Sequence, residues 1–294
     1  MEYRSTLRDT RTSGKQPLLS NYQPQLEQSD ELSTDMISRY LQLIGILRWA
    51  VEIGRIDIFT EVAIMLQYSA SPRLVHIEGL YHIFGYLKKH EMSQIVFDPK
   101  KTKIGEQYFT PSTTDWRDFY GEVMEELPPS MPVTLGRSVH TTCFFDANHV
   151  GNVVTRQSHT GVLIYVINTP IILFLKKQNT VESSTIGSEF VAMQIARDLI
   201  VALRYKLRIF GVPLDCSTDV VCNNQGVVKN TSSTQLTLCK KHNAVNYHVV
   251  RESAAAGILH VRKEDTETNL ADLLTKILDW KRRHQLFPNI LYSS

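Results

Sequence analysis

Cysteine is scarce in this chain, and its four residues, Cys143, Cys216, Cys222 and Cys239, include no Cys-x-x-Cys pair. They read as reduced thiols of an intracellular protein. Their spacing with His242 and His248 is wrong for a zinc site. Charge of one sign is also lacking. The formal net charge is only +2, so bulk charge does not mark a nucleic-acid binder, and any basic surface must be local. Long apolar runs are missing too. The longest, GVLIYVINTPIILFLKK, is too short for a membrane helix and is broken at Asn168, Thr169 and Pro170. It reads as two strands joined by a tight turn at Asn168-Thr169. The N-terminal MEYRSTLRDTRTSGKQ has no apolar core of the secretory type. These absences together predict an intracellular location, cytoplasmic or nuclear. What remains is ordinary: 294 residues, 43% hydrophobic and 21% charged, enough for one large soluble domain or two small ones.

Patterning divides the chain into four parts. Residues 1–39 are polar and aperiodic, and are expected to be a poorly ordered lead. Residues 40–97 carry helical periodicity. Leu43, Ile46, Leu47, Ala50 and Val51 share one spacing, and Val75, Leu80, Ile83, Phe84 and Leu87 share another, with DIFTEVAIMLQYS between them. Residues 98–138 hold five of the eleven prolines and read as an extended connector. Residues 139–290 alternate between strand and helix patterns. HTTCFFD, GVLIYVI, PIILFLK, TDVVCNN and ILHVRK read as strands. A long helix covers SSTIGSEFVAMQIARDLIVALRYKLRIFG, with Phe190, Met193, Ala196, Ile200, Leu203 and Leu207 on one face and Gly211 as its stop. A second helix, LTLCKKHNAVNYHVVRESAAAG, and a last one, NLADLLTKILDW, complete a mixed α/β sheet flanked by helices.

In such a sheet, polar residues at strand ends and helix starts meet at one crevice. Asp146 ends the first strand, Glu189 lies in the first turns of the long helix, and Asp272 lies in the first turns of the last. Carboxylates brought from separated segments suit magnesium, which takes hard oxygen ligands. Two such ions about 4 Å apart hold the attacking water and leaving oxygen of a phosphodiester. The same residues also suit solvated charges, helix caps or helix-dipole partners.

Longer strings are more specific. FFDANHVGNVVTRQSHTGVLIYVINTPIILFLKKQNTVESSTIGSEFVAM, VCNNQGVVKN and KKHNAVNYHVVRESAAAGILHVRKEDTETNLADLLTK resemble the RNase H domain of copia-type LTR retrotransposons. LIGILRWAVEIGRIDI and YHIFGYLKKH resemble the tail of the reverse transcriptase that precedes it. The resemblance runs from about Tyr22 to Leu278, with the motifs in order. It implies an RNase H-like mixed five-stranded sheet preceded by a small helical region. It also implies hydrolysis of the RNA strand of an RNA–DNA hybrid by two Mg2+ (or Mn2+) ions held by four carboxylates. Its implied partners are a hybrid or other nucleic acid and the upstream reverse transcriptase portion of the polyprotein.

Carried over by position, the metal-binding acids fall on Asp146, Glu189 and Asp272, and the remaining site position falls on Asn223. There the family has Asp-Asn and this chain has Asn223-Asn224. An amide offers one neutral oxygen where an anion is expected, and local charge sets cation affinity. Asp219 lies four residues earlier, about 13 Å away along a strand, and is no substitute. Asn148 and Val150 depart from the family, and Lys263–Glu267 lacks the histidine that many RNase H enzymes carry before the last helix. No Asp-Asp pair of the polymerase type occurs anywhere in the sequence.

Arg156, Lys176, Lys177, Lys229, Lys240, Lys241 and Arg251 are candidate phosphate contacts if they share a face, or else ordinary solvated cations. His242 and His248 read as packing or polar contacts, and Trp49 and Trp116 as packing residues. Three functions compete: an RNase H with residual or lost activity, a catalytically inactive nucleic-acid-binding relic, and an integrase-type transferase. The last fits least, because such sites draw their glutamate from a late helix.

Overall fold

The computed structural model describes residues 14–95, 114–214, 216–234 and 244–292. Its elements begin with α1 (Thr34–Glu52), α2 (Phe59–Leu66), α3 (Leu74–Lys89), β1 (Gln94–Ile95), α4 (Arg117–Tyr120), β2 (Thr141–Asn148), β3 (His159–Val166) and β4 (Thr169–Lys177). They continue with α5 (Thr185–Ile209), β5 (Thr218–Cys222), α6 (Gln225–Ser232), α7 (Ala244–Ala255), β6 (Leu259–Lys263), α8 (Asp272–Thr275), α9 (Trp280–Leu286) and β7 (Leu291–Tyr292). The chain divides into two compact units, Met1–Val96 with Lys276–Ser294, and Phe97–Thr275. No helix among the described residues is long and apolar enough to cross a membrane.

The first unit is helical. Tyr40, Leu43, Ile44 and Leu47 of α1 are buried together with Val62 and Met65 of α2 and Val75, Leu80 and Ile83 of α3. The spacing over 40–97 predicts these helices, with two differences. Ile46 is 53% exposed and Trp49 is 63% exposed, so Leu43, Leu47, Ala50 and Val51 of the predicted stripe meet the core while Ile46 does not, and Trp49 is not a core residue. The N-terminal boundary also differs. Leu18, Tyr22 and Leu32 are buried in the same core, so the stretch read as an unordered lead supplies core side chains within its described part.

The C-terminal segment joins this unit. Buried Arg283 donates to Glu61 Oε1 at 2.6 Å and to the Asp57 carbonyl, and β7 pairs antiparallel with β1. Burial pushes the Glu61 carboxyl up, and the Arg283 charge draws it back. The last helix therefore does not run unbroken through NLADLLTKILDW. It stops after one turn at Thr275, and α9 starts afresh behind Asp279, whose side chain caps Arg282 N at 2.9 Å. The sheet domain thus ends at Thr275, not near 290.

The second unit is a five-stranded sheet of order β4-β3-β2-β5-β6. The β2–β3 and β3–β4 pairs are antiparallel, and β2–β5 and β5–β6 are parallel. With helices on its faces, this is the mixed α/β arrangement of an RNase H-like fold. Alternation along the strands sends Cys143, Phe145, Val162, Ile164, Val220 and Cys222 to one face. There they meet Phe190, Met193, Ala196, Ile200 and Leu203 of α5, the predicted stripe. Ser184 caps the start of α5 by accepting from Gly187 N, and Gly211, at φ +72°, turns the chain after its end. The β3–β4 turn falls one residue earlier than expected, with Thr169 already in β4 and Ile167 at φ +58°.

The predicted connector, residues 98–138, is described only from residue 114, and there it docks on the domain. Glu125 receives both nitrogens of a bidentate pair from buried Arg204, at 2.8 and 2.9 Å, and a further bond from Arg208. Trp116 is buried against Arg251.

The opposite sheet face receives α8. Gly161, paired with Asp146, lies directly beneath it. A Cβ at Gly161 would stand 2.6 Å from Thr275 Cγ2 and 2.9 Å from Leu274 Cβ. Gly161→Ala is therefore expected to push α8 off the sheet and to destabilise the domain by about 1–3 kcal/mol, the usual cost of overpacking. Urea denaturation monitored by circular dichroism reads that loss, and an unchanged midpoint would show that α8 does not rest on the strand.

Candidate active site

Asp146 sits near the end of β2, the central strand, and is buried. Phe144 pairs with Val221 of β5. Two steps further, the register sets Asp146 alongside Asn223, just beyond β5, with both on the face opposite α5. A carboxylate so placed needs donors. Thr275 Oγ1 of α8 donates to Asp146 Oδ2 at 2.5 Å. Two amides hold the turn in position: Asn148 Nδ2 donates to the Thr275 carbonyl at 3.1 Å, and Asn269 Nδ2 to the Phe145 carbonyl at 3.2 Å. Asp272 is also buried and lies three residues before Thr275 in the same turn, a spacing that puts the two side chains on one side of it.

Glu189 is buried in the second turn of α5. Its neighbour Ser188 ties that helix start to the sheet. The Ser188 carbonyl accepts from Gln178 Nε2 at 2.9 Å, the same nitrogen donates to Thr160 Oγ1 at 2.9 Å, and Ser188 Oγ lies 3.3 Å from His149 Nδ1. The last residue of β5, Cys222, reports both acids. Burial pushes its thiol well above the ordinary value, and the negative charges of Glu189 and then Asp146 raise it further. Asp146, on one face of the sheet, and Glu189, on α5 at the other, are thus both within electrostatic reach of Cys222.

Asn223 and Asn224 have different tasks. Asn224 Oδ1 caps α6 by accepting from Gly226 N at 2.9 Å and Val227 N at 3.3 Å. Half-buried Asn223 is the one aligned with Asp146. Among the described residues, no three His, Cys, Asp or Glu side chains are gathered as a metal-ligating group. Asp219 is committed to the other end of β5. It accepts from His140 Nε2 at 2.9 Å and Arg262 Nε at 2.5 Å, with His260 Nδ1 at 3.7 Å.

The candidate phosphate contacts divide. Arg156, Lys176 and Lys229 are exposed. Lys177 pairs in register with His159, and it adds to the burial that lowers the His159 pKa. Lys240 and Lys241, with Cys239 and His242, lie outside the described residues. Arg251 is a correction to the sequence reading. It is buried, its guanidinium lies 4.7 Å from the rings of both Trp116 and Tyr247, and it donates to the Ser233 carbonyl at 3.0 Å. It is a packing cation rather than a surface one. His248 makes the expected polar contact, 2.8 Å from Tyr120 Oη.

Sequence reasoning missed Thr275, Asn269, Gln178 and Gly161. Only Gly161 carried a signal, because a glycine inside a strand marks close approach of another backbone or helix.

The strand order and the buried acids at the end of the central strand define an RNase H-like α/β domain. The chain's homologues are retrovirus-related Pol polyproteins of copia-type transposons. One from transposon TNT 1-94 of Nicotiana tabacum is 25% identical over 239 residues, 81% of this chain. Another, from transposon RE2 of Arabidopsis thaliana, is 27% identical over 143 residues, 49% of this chain. The chain spans 15% of the length of the first and 10% of the second. No family model matches it. Solved structures of similar shape include the N-terminal RNase H domain of a Mycobacterium tuberculosis protein, with TM-score 0.37, 14% identity, and coverage of 47% of this chain and 91% of that one. LC11-RNase H1 in complex with an RNA/DNA hybrid has TM-score 0.35, 15% identity, and coverage of 46% of this chain and 92% of that one.

Two stability predictions follow from this geometry. Thr275→Val removes the donor to Asp146 and is expected to cost about 1–3 kcal/mol in urea denaturation. The second concerns Asp219. Burial raises its carboxyl, but the hydrogen bonds from His140 and Arg262 and the Arg262 charge outweigh burial and hold it below the ordinary value. A depressed folded pKa stabilises fully above the unfolded value of about 3.9 and less as pH falls through the folded one. The stability gap between wild type and Asp219→Asn should hence shrink as pH falls below about 4.

Proposed function

We propose that this chain is the RNase H-like module of a retrotransposon-type Pol polyprotein whose hydrolysis of RNA in RNA–DNA hybrids is weakened or lost at Asn223. The alignment of Asp146 with Asn223 across β2 and β5 carries the reading, because there Asn223 supplies an amide where an anion is expected. Carboxylate oxygens are the right donors for Mg2+ or Mn2+, so Asp146, Glu189 and Asp272 are the residues to hold them. The set is nevertheless incomplete. Two divalent ions side by side need anionic oxygens to offset their mutual repulsion, and one of the four expected anions is missing. Asp146 is also engaged by Thr275. No catalytic step through the ions is therefore assigned to the chain as it stands.

A second reading, an inactive nucleic-acid-binding relic, is favoured by the hold of Thr275 on Asp146. In both readings exposed Arg156, Lys176 and Lys229, with half-buried Lys177, meet phosphates, which supply sequence-independent affinity. The upstream reverse transcriptase portion of the polyprotein is the expected covalent neighbour.

Purified chain with a labelled RNA–DNA hybrid and Mg2+ or Mn2+ is expected to bind and to cleave poorly or not at all. Asn223→Asp should raise cleavage at least tenfold, and Asp146→Asn should abolish whatever remains. Wild-type cleavage at the rate of an intact RNase H would overturn the argument from the missing anion. Unchanged cleavage in Asp146→Asn would move the site elsewhere.

A further inference from the structure

The end of the sheet away from Asp146 holds a second polar constellation. His140 precedes β2 and Cys216 precedes β5, two neighbouring strands that start side by side with Val139 bridged to Leu214. His140 Nδ1 lies 3.2 Å from Cys216 Sγ, and His140 Nε2 lies 2.9 Å from Asp219 Oδ2. Cys216 is exposed, whereas His140 and Asp219 are buried. Held below the usual carboxylate range, Asp219 is an anion at neutral pH and can only accept a hydrogen bond. The proton of a neutral His140 ring therefore sits on Nε2, and Nδ1 offers its lone pair to the thiol. A nucleophile, its base and the acid that fixes the tautomer of the base stand in line.

Other groups bear on the same spot. Arg262 and His260 face Asp219, and Arg204 Nη1 donates to the Cys216 carbonyl at 2.8 Å while paired with Glu125. Asp215 lies outside the described residues. Arg262 and Arg204 are each paired with a carboxylate, and burial lowers the His260 pKa, so activation of Cys216 falls to His140. Cys143 and Cys222 make the contrast, since both are buried and both thiols are pushed up.

We propose that Cys216 is a nucleophilic thiol activated by His140, with Asp219 as the positioning residue, and that it is a site of oxidation by small peroxides. His140 Nδ1 takes the thiol proton, and the thiolate sulfur attacks one peroxide oxygen. The S–O bond forms as the O–O bond breaks, and the leaving hydroxide takes the proton from His140 and departs as water. Sulfur is oxidised by two electrons to sulfenic acid, and the peroxide is reduced by two.

The test measures second-order rates of the full chain with iodoacetamide and with hydrogen peroxide from pH 5 to 9, resolved by residue with peptide mass spectrometry. The expected midpoint for Cys216 lies at least one unit below the ordinary thiol value of about 8.5. Alkylation at pH 6.5 would then run about tenfold faster than for an unstructured cysteine peptide. The peroxide product should be trapped by dimedone at Cys216. His140→Gln should return the midpoint to the ordinary value. A wild-type midpoint at or above 8.5, or a profile unchanged in folded His140→Gln, would overturn the proposal. The wild-type profile decides alone should the variant lose its fold.

Discussion

A carboxyl group withdrawn from water at the end of the central strand sets the face of the sheet under α8. Asp146 is buried, and in a low-dielectric site a polar group needs a hydrogen-bond partner. The Thr275 hydroxyl reaches it from a helix of a single turn, which could not hold its own shape in isolation. Asn148 and Asn269 fasten that turn to β2, and the bare backbone of Gly161 leaves room for it. Position, donor and seat are interdependent, so the polar chemistry of the site and the packing of the sheet face are one construction.

The two ends of β5 treat acids in opposite ways. At its beginning Asp219 is compensated by His140 and Arg262, while beyond its last residue Asn223 brings no charge beside Asp146. The compensated acid cannot serve the uncompensated end. It is held by partners on β6 and ahead of β2 that would lose a buried counter-charge if it turned away. The reading of Asn223 as a missing anion rests on this division as much as on the resemblance to retrotransposon RNase H domains.

The strands, the apolar face of α5 and the sheet class were legible in the sequence because periods of 2.0 and 3.6 residues are imposed by backbone geometry alone. Asp146 was legible as a strand end, and Asn223 entered only through the family resemblance. What escaped depended on contacts distant in sequence. Leu18 and Tyr22 are buried only because three later helices cover them. The break after Thr275 and the pairing of Arg283 with Glu61 and Asp57 are encoded by no local pattern. Arg251 carries the composition of a surface cation, and only the rings of Trp116 and Tyr247 make it a buried one.

That ringed arginine bears on how the domain opens. Residues 114–120 contain one short helix, Arg117–Tyr120, with no buried residue of its own, and they are held largely by buried Trp116 against Arg251 and by Thr114 on the Ser232 carbonyl. Both anchors lie far along the chain, so the loop closure they require comes late in folding. Few buried side chains hold it in place, so the segment is expected to open ahead of the sheet, leaving Arg251 to water.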